Sequence, residues 1–175
     1  VCARYTVFTE EEIIEIRSII AEVSRKFGDG AVAAGEIRPT NNAPILTMDD
    51  GRLTPRPVSW GFPKWDGKGV LINARSESAL EKPMFSNALL SRRCVIPSTG
   101  FFEWINYREP ETQLSLFSDD SGKARATSKI KLHFRRPNLP MLYMAGMIDS
   151  FKNENGQKKD AFIILTTEAN ESMAR

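Results

Sequence analysis

Five prolines fall between residues 39 and 63 and limit what this part of the chain can form. Proline fixes φ at about −65°, has no backbone N–H and breaks the interior of a helix. Short apolar pieces separate these prolines, so we predict extended segments and turns here, with irregular β-structure in the middle of the chain. The prolines are Pro39, Pro44, Pro55, Pro57 and Pro63.

Ahead of the prolines, the chain carries the pattern of one amphipathic helix. Thr9 and Glu12 have the spacing of a capping box, which predicts a helix start. Apolar residues then recur at alternating steps of three and four, which predicts one buried stripe that ends at Gly28. The stripe consists of Ile13, Ile16, Ile20, Val23 and Phe27.

Beyond the prolines, short apolar runs predict strands and one short helix. Met84 to Leu90, after Pro83, is the predicted helix. The other runs have the length and residue types of strands, so we predict an α+β fold with more strand than helix. The predicted strands are Cys94 to Pro97, Phe101 to Ile105, Met141 to Ile148 and Ala161 to Thr167.

Length and composition favour one soluble domain. A chain of 175 residues, 41% of them hydrophobic, is long enough to bury one sizeable core. The formal net charge is +2, and no apolar run approaches the roughly 20 residues that cross a bilayer. Residues 1–12 lack the basic start and apolar stretch of a signal peptide. We therefore expect a monomeric, cytoplasmic protein without membrane association.

Few groups are present for the common catalytic schemes. Cys2 and Cys94 provide neither a disulfide framework nor a zinc site of their own, and His133 is the single histidine. The segment Asp66-Gly67-Lys68-Gly69 lacks the spacing of a P-loop, and the serines lack the context of a nucleophile elbow. We predict no metal and no cofactor.

Cys2 offers a different chemistry because it lies next to the N-terminus. A free α-amine is substantially nucleophilic at neutral pH. An N-terminal cysteine carries such an amine beside a thiol, so the amine can form an imine with an aldehyde and the sulfur can close a thiazolidine ring. The alternative for Cys2 is a small side chain packed under the first strand.

A series of motifs runs in a fixed order along almost the whole chain. They are Cys2-Ala3-Arg4-Tyr5, Arg38-Pro39-Thr40, Trp60-Gly61-Phe62 with Pro63 and Trp65, Asn73-Ala74-Arg75-Ser76-Glu77, Phe85, Arg92-Arg93-Cys94-Val95-Ile96-Pro97, Gly100-Phe101-Phe102-Glu103-Trp104, Ala145-Gly146 and Thr166-Thr167-Glu168-Ala169-Asn170. Each is common alone. In this order, together, they resemble the SOS response-associated peptidase (SRAP) family.

The resemblance implies a mostly antiparallel, barrel-like domain over residues 1–175, without the family's C-terminal segment and its active-site histidine. It implies an enzyme-like protein of the DNA damage response, a thiol peptidase or lyase in type, acting at the bacterial nucleoid. Cys2 would bond covalently to the ring-opened aldehyde of an abasic site in single-stranded DNA. The peptidase activity is then the removal of an initiator methionine that exposes the cysteine.

Glu103 is the predicted proton carrier. Strand alternation puts its side chain on the same face as Phe101 and Ile105. A carboxylate among apolar neighbours is costly to ionise, so a neutral acid there can protonate the sugar oxygen as the ring opens. The alternative is an ion pair with an arginine such as Arg75. The resemblance assigns the catalytic glutamate to this same position.

Two uncharged polar residues complete the predicted catalytic set. Asn73 supplies a donor and acceptors and would orient Cys2 or the opened sugar, whereas from the sequence alone it would start a turn. Thr166 is favoured over Thr167 for a similar role at a strand end, although both have the option of capping a following helix.

The predicted DNA contacts combine arginines with aromatic rings. Guanidinium groups grip phosphates with paired hydrogen bonds, and rings stack on unpaired bases of any sequence. For the rings, the alternative is burial in the core. The basic run from Lys123 to Arg136 would either extend the phosphate path or form a solvated hairpin. The predicted contacts are Arg4, Arg75, Arg93, Trp60 and Phe62, with Pro39 at the groove edge.

Two departures and two rival functions accompany this interpretation. Ala3 stands where the family usually has glycine. The other departure is Val1, which precedes Cys2, and a GTG start codon transcribed literally as valine would explain it. One rival is an amide hydrolase in which Cys2 attacks a carbonyl with its own amine as base. The other is a non-catalytic module that binds single-stranded DNA through its arginines and aromatic residues.

Overall fold

Twelve strands, two α-helices and one 3-10 helix make up the described part of the chain. The computed structural model describes residues 3–9, 13–107, 128–152 and 155–169. The helices are α1 (Ile14–Phe27) and α2 (Pro83–Ser91), and the 3-10 helix covers Ala79–Glu81. The strands are β1 (Arg4–Val7), β2 (Gly35–Ile37), β3 (Asn42–Asp49), β4 (Arg52–Trp60), β5 (Phe62–Pro63), β6 (Val70–Leu71), β7 (Asn73–Arg75), β8 (Arg93–Ser98), β9 (Gly100–Tyr107), β10 (Ser128–Phe134), β11 (Leu142–Lys152) and β12 (Lys158–Thr166).

Five of the strands close into a barrel. Their order is β11-β8-β3-β4-β12, and a further pairing between β11 and β12 closes the ring. Neighbouring strands run antiparallel, except that β12 runs parallel to β4 and to β7, which adds to β12 outside the ring. This arrangement confirms the mostly antiparallel, barrel-like α+β fold that the resemblance implied.

A second, four-stranded sheet carries the start of the chain. Its order is β10-β9-β1-β2, antiparallel throughout. Tyr5 pairs with Phe101 and Arg4 pairs with Phe102 across β1 and β9. Cross-strand partners share a face, and Tyr5 is fully buried while Arg4 is partly exposed. The sheet therefore has an inner face toward the core and an outer face that carries Arg4.

Two apolar clusters form the core. The larger one joins the barrel to α1 and the inner face of the four-stranded sheet, and it includes Tyr5, Ile16 and Trp60. The smaller one lies under α2 and includes Phe62 and Phe85. None of the described helices is long and apolar enough to span a bilayer.

The predicted helices are confirmed, with two differences in α1. Its N-cap is Ile13, which makes no capping hydrogen bond through its side chain, and Glu12 of the predicted capping box lies outside the described residues. The stripe is buried at Ile13, Ile16 and Val23 and half-buried at Ile20, but Phe27 is 53% exposed. Phe27 is the last residue of α1 and lines a surface groove instead of the core.

Candidate functional site

Three of the predicted site residues meet at one end of two neighbouring strands. β7 runs parallel to β12 with Asn73 level with Ile164 and Arg75 level with Thr166. The backbone N–H of Ser76 donates to the Thr166 carbonyl at 2.9 Å, which continues the pairing past the strand end. The three-residue strand β7, from Asn73 to Arg75, thus lies beside the last three residues of β12, with Thr166 level with Arg75.

Arg75 is exposed but fixed in direction. Its Nη1 donates to the backbone carbonyl of Thr167 at 2.7 Å. The Glu77 carboxylate accepts from the N–H of Glu168 at 3.0 Å, and hydrogen bonds from its own backbone and from Thr167 help to hold the pKa of Glu77 below its ordinary value. Because Nη1 is held by a neutral carbonyl, this contact orients the guanidinium without cancelling its charge.

Trp60 and Phe62 lie in the core and do not present a ring face to DNA. Both side chains have 0% exposure. Phe62 packs against Phe151 and Phe85 in the smaller cluster, with ring centroids 4.8 and 6.2 Å away. The structure therefore corrects the stacking role in favour of the burial alternative, because both rings are already covered by other side chains.

Trp60 instead connects the strands that carry the site. Its ring meets Tyr5 of β1 edge-on, with centroids 5.1 Å apart, and stacks on Phe162 of β12. Its Nε1 donates to the carbonyl of Ile72 at 3.0 Å, directly before Asn73. One buried side chain thus contacts the strand that follows Cys2 and the residue that precedes Asn73.

Cys2 itself lies outside the described residues, whereas Arg4 begins β1 on the outer face of its sheet. Arg4 Nη1 is 2.6 Å from Oε1 of Glu36. Its guanidinium carbon is also 5.3 Å from the centroid of the Trp104 ring. The sequence did not indicate the contact between Glu36 and Arg4, because β1 and β2 are distant in sequence. Alternation along β9 does indicate that Trp104, which follows the inward-facing Glu103, points outward.

Glu103 lies on the inner face of the four-stranded sheet, as the alternation predicted. It pairs with Leu132 across β9 and β10 and shares the face of Phe101, which packs against the larger core cluster. Its side chain is half-buried. Ile105, two residues further along β9, is 38% exposed, so this face of the sheet is less buried toward the end of the strand.

Pro39 belongs to a tight turn beside the end of β4. The N–H of Asn41 donates to the carbonyl of Arg38 at 3.0 Å, and the N–H of Thr40, whose φ is 72°, donates to the Trp60 carbonyl at 2.8 Å. Pro39 is half-buried. The turn is therefore anchored on the strand that carries Trp60.

Arg93 is the first residue of β8 and is exposed. It lines a groove of about 620 Å³ together with Arg56 and Asp160. Arg93 lies opposite Met147 in the β8–β11 pair, and Met147 lies opposite Ile163 in the β11–β12 pair, so its contact with DNA stays a prediction.

Cys94 is the cysteine that the structure describes. It is 5% exposed within the larger core cluster. Burial raises the pKa of its thiol to about 12, against a weaker opposing effect of Arg56. Cys94 is therefore a buried, protonated thiol, and within the described ranges no group of three or more His, Cys, Asp or Glu residues has the arrangement of a metal site.

Comparison with known sequences links the whole chain to one family. The model of the family described as SOS response associated peptidase (SRAP) matches residues 1–175. The abasic site processing protein YoqW of Bacillus subtilis is 31% identical over 184 residues, which cover 98% of this chain and 70% of that protein. The abasic site processing protein YedK of Escherichia coli is 25% identical, covering 94% of this chain and 66% of that one.

Solved structures share the fold at lower identity. A protein from Bacteroides thetaiotaomicron superposes with a TM-score of 0.68 and 22% identity, covering 98% of this chain and 70% of that one. A protein from Bordetella bronchiseptica gives a TM-score of 0.62 and 20% identity, covering 97% and 74%.

Proposed function

Because the chain belongs to the SOS response associated peptidase (SRAP) family, we propose that it processes abasic sites in DNA. The family match over residues 1–175 is the observation that carries this proposal. It is supported by the relatives named abasic site processing protein, among them YoqW, YedK and the rat protein HMCES.

The reaction we infer is covalent capture of the ring-opened sugar in single-stranded DNA by Cys2 at a free N-terminus. The α-amine adds to the aldehyde carbon and water leaves, which gives an imine. The thiol then adds across the C=N bond, so that sulfur bonds to carbon, the thiol proton moves to nitrogen and a five-membered thiazolidine ring closes. Removal of an initiator methionine would expose the amine that this chemistry requires.

Glu103 is the proton carrier in this reaction. A carboxylic acid can protonate the ring oxygen of the sugar as the ring opens and accept a proton again as the imine forms. The half-buried position of Glu103 beside Phe101, on the inner face of the four-stranded sheet, supports this role because the side chain is partly shielded from bulk water there.

Asn73, Thr166 and Arg75 act on the DNA around the reacting sugar. Asn73 and Thr166 offer uncharged donors and acceptors that orient the opened sugar or Cys2. Arg75 binds a flanking phosphate, which its exposure and the neutral carbonyl on its Nη1 favour. Their common position on β7 and the last three residues of β12 supports a shared site.

Incubation with single-stranded DNA that contains one abasic site, followed by a denaturing gel, tests the proposal. We expect a heat-stable protein–DNA band with the chain that starts at Cys2 and none with Cys2→Ser. Cys94→Ser is the matched control, since its thiol is buried, and should give the wild-type band. Undiminished heat-stable adduct with Cys2→Ser would exclude thiazolidine formation.

The same gel separates the rival functions. A residue retained ahead of Cys2 turns its nitrogen into an amide, whose lone pair is delocalised into the carbonyl. A chain extended in this way should bind the DNA but give no covalent band. An amide hydrolase or a simple binding module would give no stable band with any variant.

A further inference from the structure

Three cationic side chains converge on one carboxylate at the outer face of the four-stranded sheet. Glu36 Oε1 lies 2.6 Å from Nη1 of Arg4 and 3.4 Å from Nε of Arg38. Its other oxygen lies 2.5 Å from Nζ of Lys131. The hydrogen bond from Lys131, followed by that from Arg4, lowers the pKa of Glu36 against the opposing effect of desolvation. Glu36 is therefore ionised at neutral pH, and three positive charges against one negative leave the group at plus two.

Two of these cations are also held by aromatic rings. Nζ of Lys131 is 3.8 Å from the centroid of the Phe102 ring, and the guanidinium carbon of Arg4 is 5.3 Å from that of Trp104. Such contacts attract a cation to the ring face independently of any carboxylate. Arg4 and Lys131 would thus keep their positions if the charge of Glu36 were removed.

We propose that Arg4, Arg38 and Lys131 form a phosphate-binding cluster in which the Glu36 carboxylate competes with DNA. The inference rests on the proposed function, since it assumes that single-stranded DNA is the ligand. A carboxylate and a phosphate accept the same hydrogen bonds from guanidinium and ammonium groups. Glu36 therefore lowers the affinity for DNA and prevents tight binding to undamaged strands, while Arg38 and Lys131 extend the phosphate path beyond the capture site.

The accessibility of the cluster agrees with this role. The side chains of Arg4 and Lys131 are 36% and 35% exposed, and that of Arg38 is 62% exposed, whereas Glu36 is 23% exposed. The cations can therefore be reached from solvent while the carboxylate lies among them. A phosphate can approach the cluster without any rearrangement of the strands.

Glu36→Gln tests the proposal, because the amide keeps an acceptor oxygen but removes the charge. Binding of an intact single-stranded oligonucleotide is measured by fluorescence anisotropy over a range of salt concentrations. We expect affinity to rise by about three- to ten-fold at low salt, and the salt slope to steepen by about 0.7 for one additional phosphate. Equal or weaker binding with an unchanged slope would overturn the proposal and make Glu36 a residue that orients its cations.

The matched control is Glu22→Gln, which makes the same charge change in an ion pair of α1, 2.6 Å from Lys26. The affinity of Glu22→Gln for DNA should remain within two-fold of wild type, because dissolved salt screens interactions between charges that are more than about 10 Å apart. Thermal unfolding shows whether both variants are folded.

Arg38→Ala keeps the proposal testable if Glu36→Gln does not fold. The bond of Arg38 to Asn41 uses its backbone N–H and survives the substitution. Affinity should fall and the slope should drop by about 0.7, and an unchanged slope would exclude the cluster as a phosphate site. Intact strands measure phosphate contacts without capture, whereas abasic strands measure capture. If capture proceeds while Glu36→Gln and Arg38→Ala behave as wild type, the inference fails and the proposed function stands.

Discussion

Trp60→Phe separates a structural role of Trp60 from a role in contacting DNA. The substitution removes the Nε1–H that donates to the Ile72 carbonyl and leaves a smaller ring in a site with 0% exposure. The Ile72 carbonyl keeps a second donor, the N–H of Ile164 at 3.1 Å, so it is not left without a partner. The lost hydrogen bond should then cost about 1 kcal/mol, and the smaller ring with its cavity a further 1–2 kcal/mol or so.

The expected loss in the free energy of unfolding is therefore about 2–3 kcal/mol, measured by urea denaturation. The capture rate with abasic DNA should also fall, because Trp60 contacts both Tyr5 and the residue before Asn73. Phe62→Leu is the matched control. It creates a cavity in the other core cluster and should destabilise the fold by about 1–2 kcal/mol without slowing capture by the folded protein.

The reasoning would be refuted if the free energy of unfolding of Trp60→Phe lay within about 0.5 kcal/mol of the wild-type value while its affinity for intact single-stranded DNA fell. That result would mean that the ring leaves the core to stack on bases. Equal loss of capture in Trp60→Phe and Phe62→Leu would instead assign the effect to general destabilisation.

Two further predictions concern the site itself. Arg75→Ala should weaken DNA binding and lower the salt slope by about 0.7 in the same anisotropy titration, and an unchanged slope would contradict a phosphate contact of Arg75. Glu103→Gln should slow adduct formation by roughly 10²–10⁴-fold in a timed gel assay with little change in affinity for intact DNA, and an unchanged rate would make Glu103 a structural residue.

Local patterns in the sequence predicted the elements well. The apolar spacing of α1 and the strand runs around Cys94, Phe101 and Ile163 depend on neighbours a few residues away, so periodicity alone is sufficient. The closure of the barrel is different, because the pairing of β12 with β4 and of β3 with β8 joins distant segments. That part of the fold came from the resemblance.

The orientation of the aromatic residues was not predictable from periodicity. Trp60 and Phe62 are two residues apart, but Gly61 between them has a φ of 117°, and a Cβ there would lie 2.6 Å from a methyl carbon of Val70. The chain therefore turns at Gly61 and alternation no longer relates the two rings. Whether either ring is covered depends on Phe162 and Phe151, which the sequence places about a hundred residues later.

The two arginines nearest the proposed chemistry are held in physically different ways. Arg75 Nη1 donates to a neutral backbone carbonyl, which orients the guanidinium group and leaves its positive charge uncompensated by that contact. Arg4, in contrast, shares the Glu36 carboxylate with Arg38 and Lys131. A phosphate can therefore bind Arg75 directly, but at Arg4 it must displace or share an anion that is already present. The energy of non-specific binding would thus come mainly from Arg75, and the Glu36 cluster would contribute less because Glu36 competes with the phosphate. In the proposed capture at Cys2, two residues before Arg4, the strand would stay beside the cluster, so an abasic strand would gain the phosphate contacts that an intact strand makes only weakly.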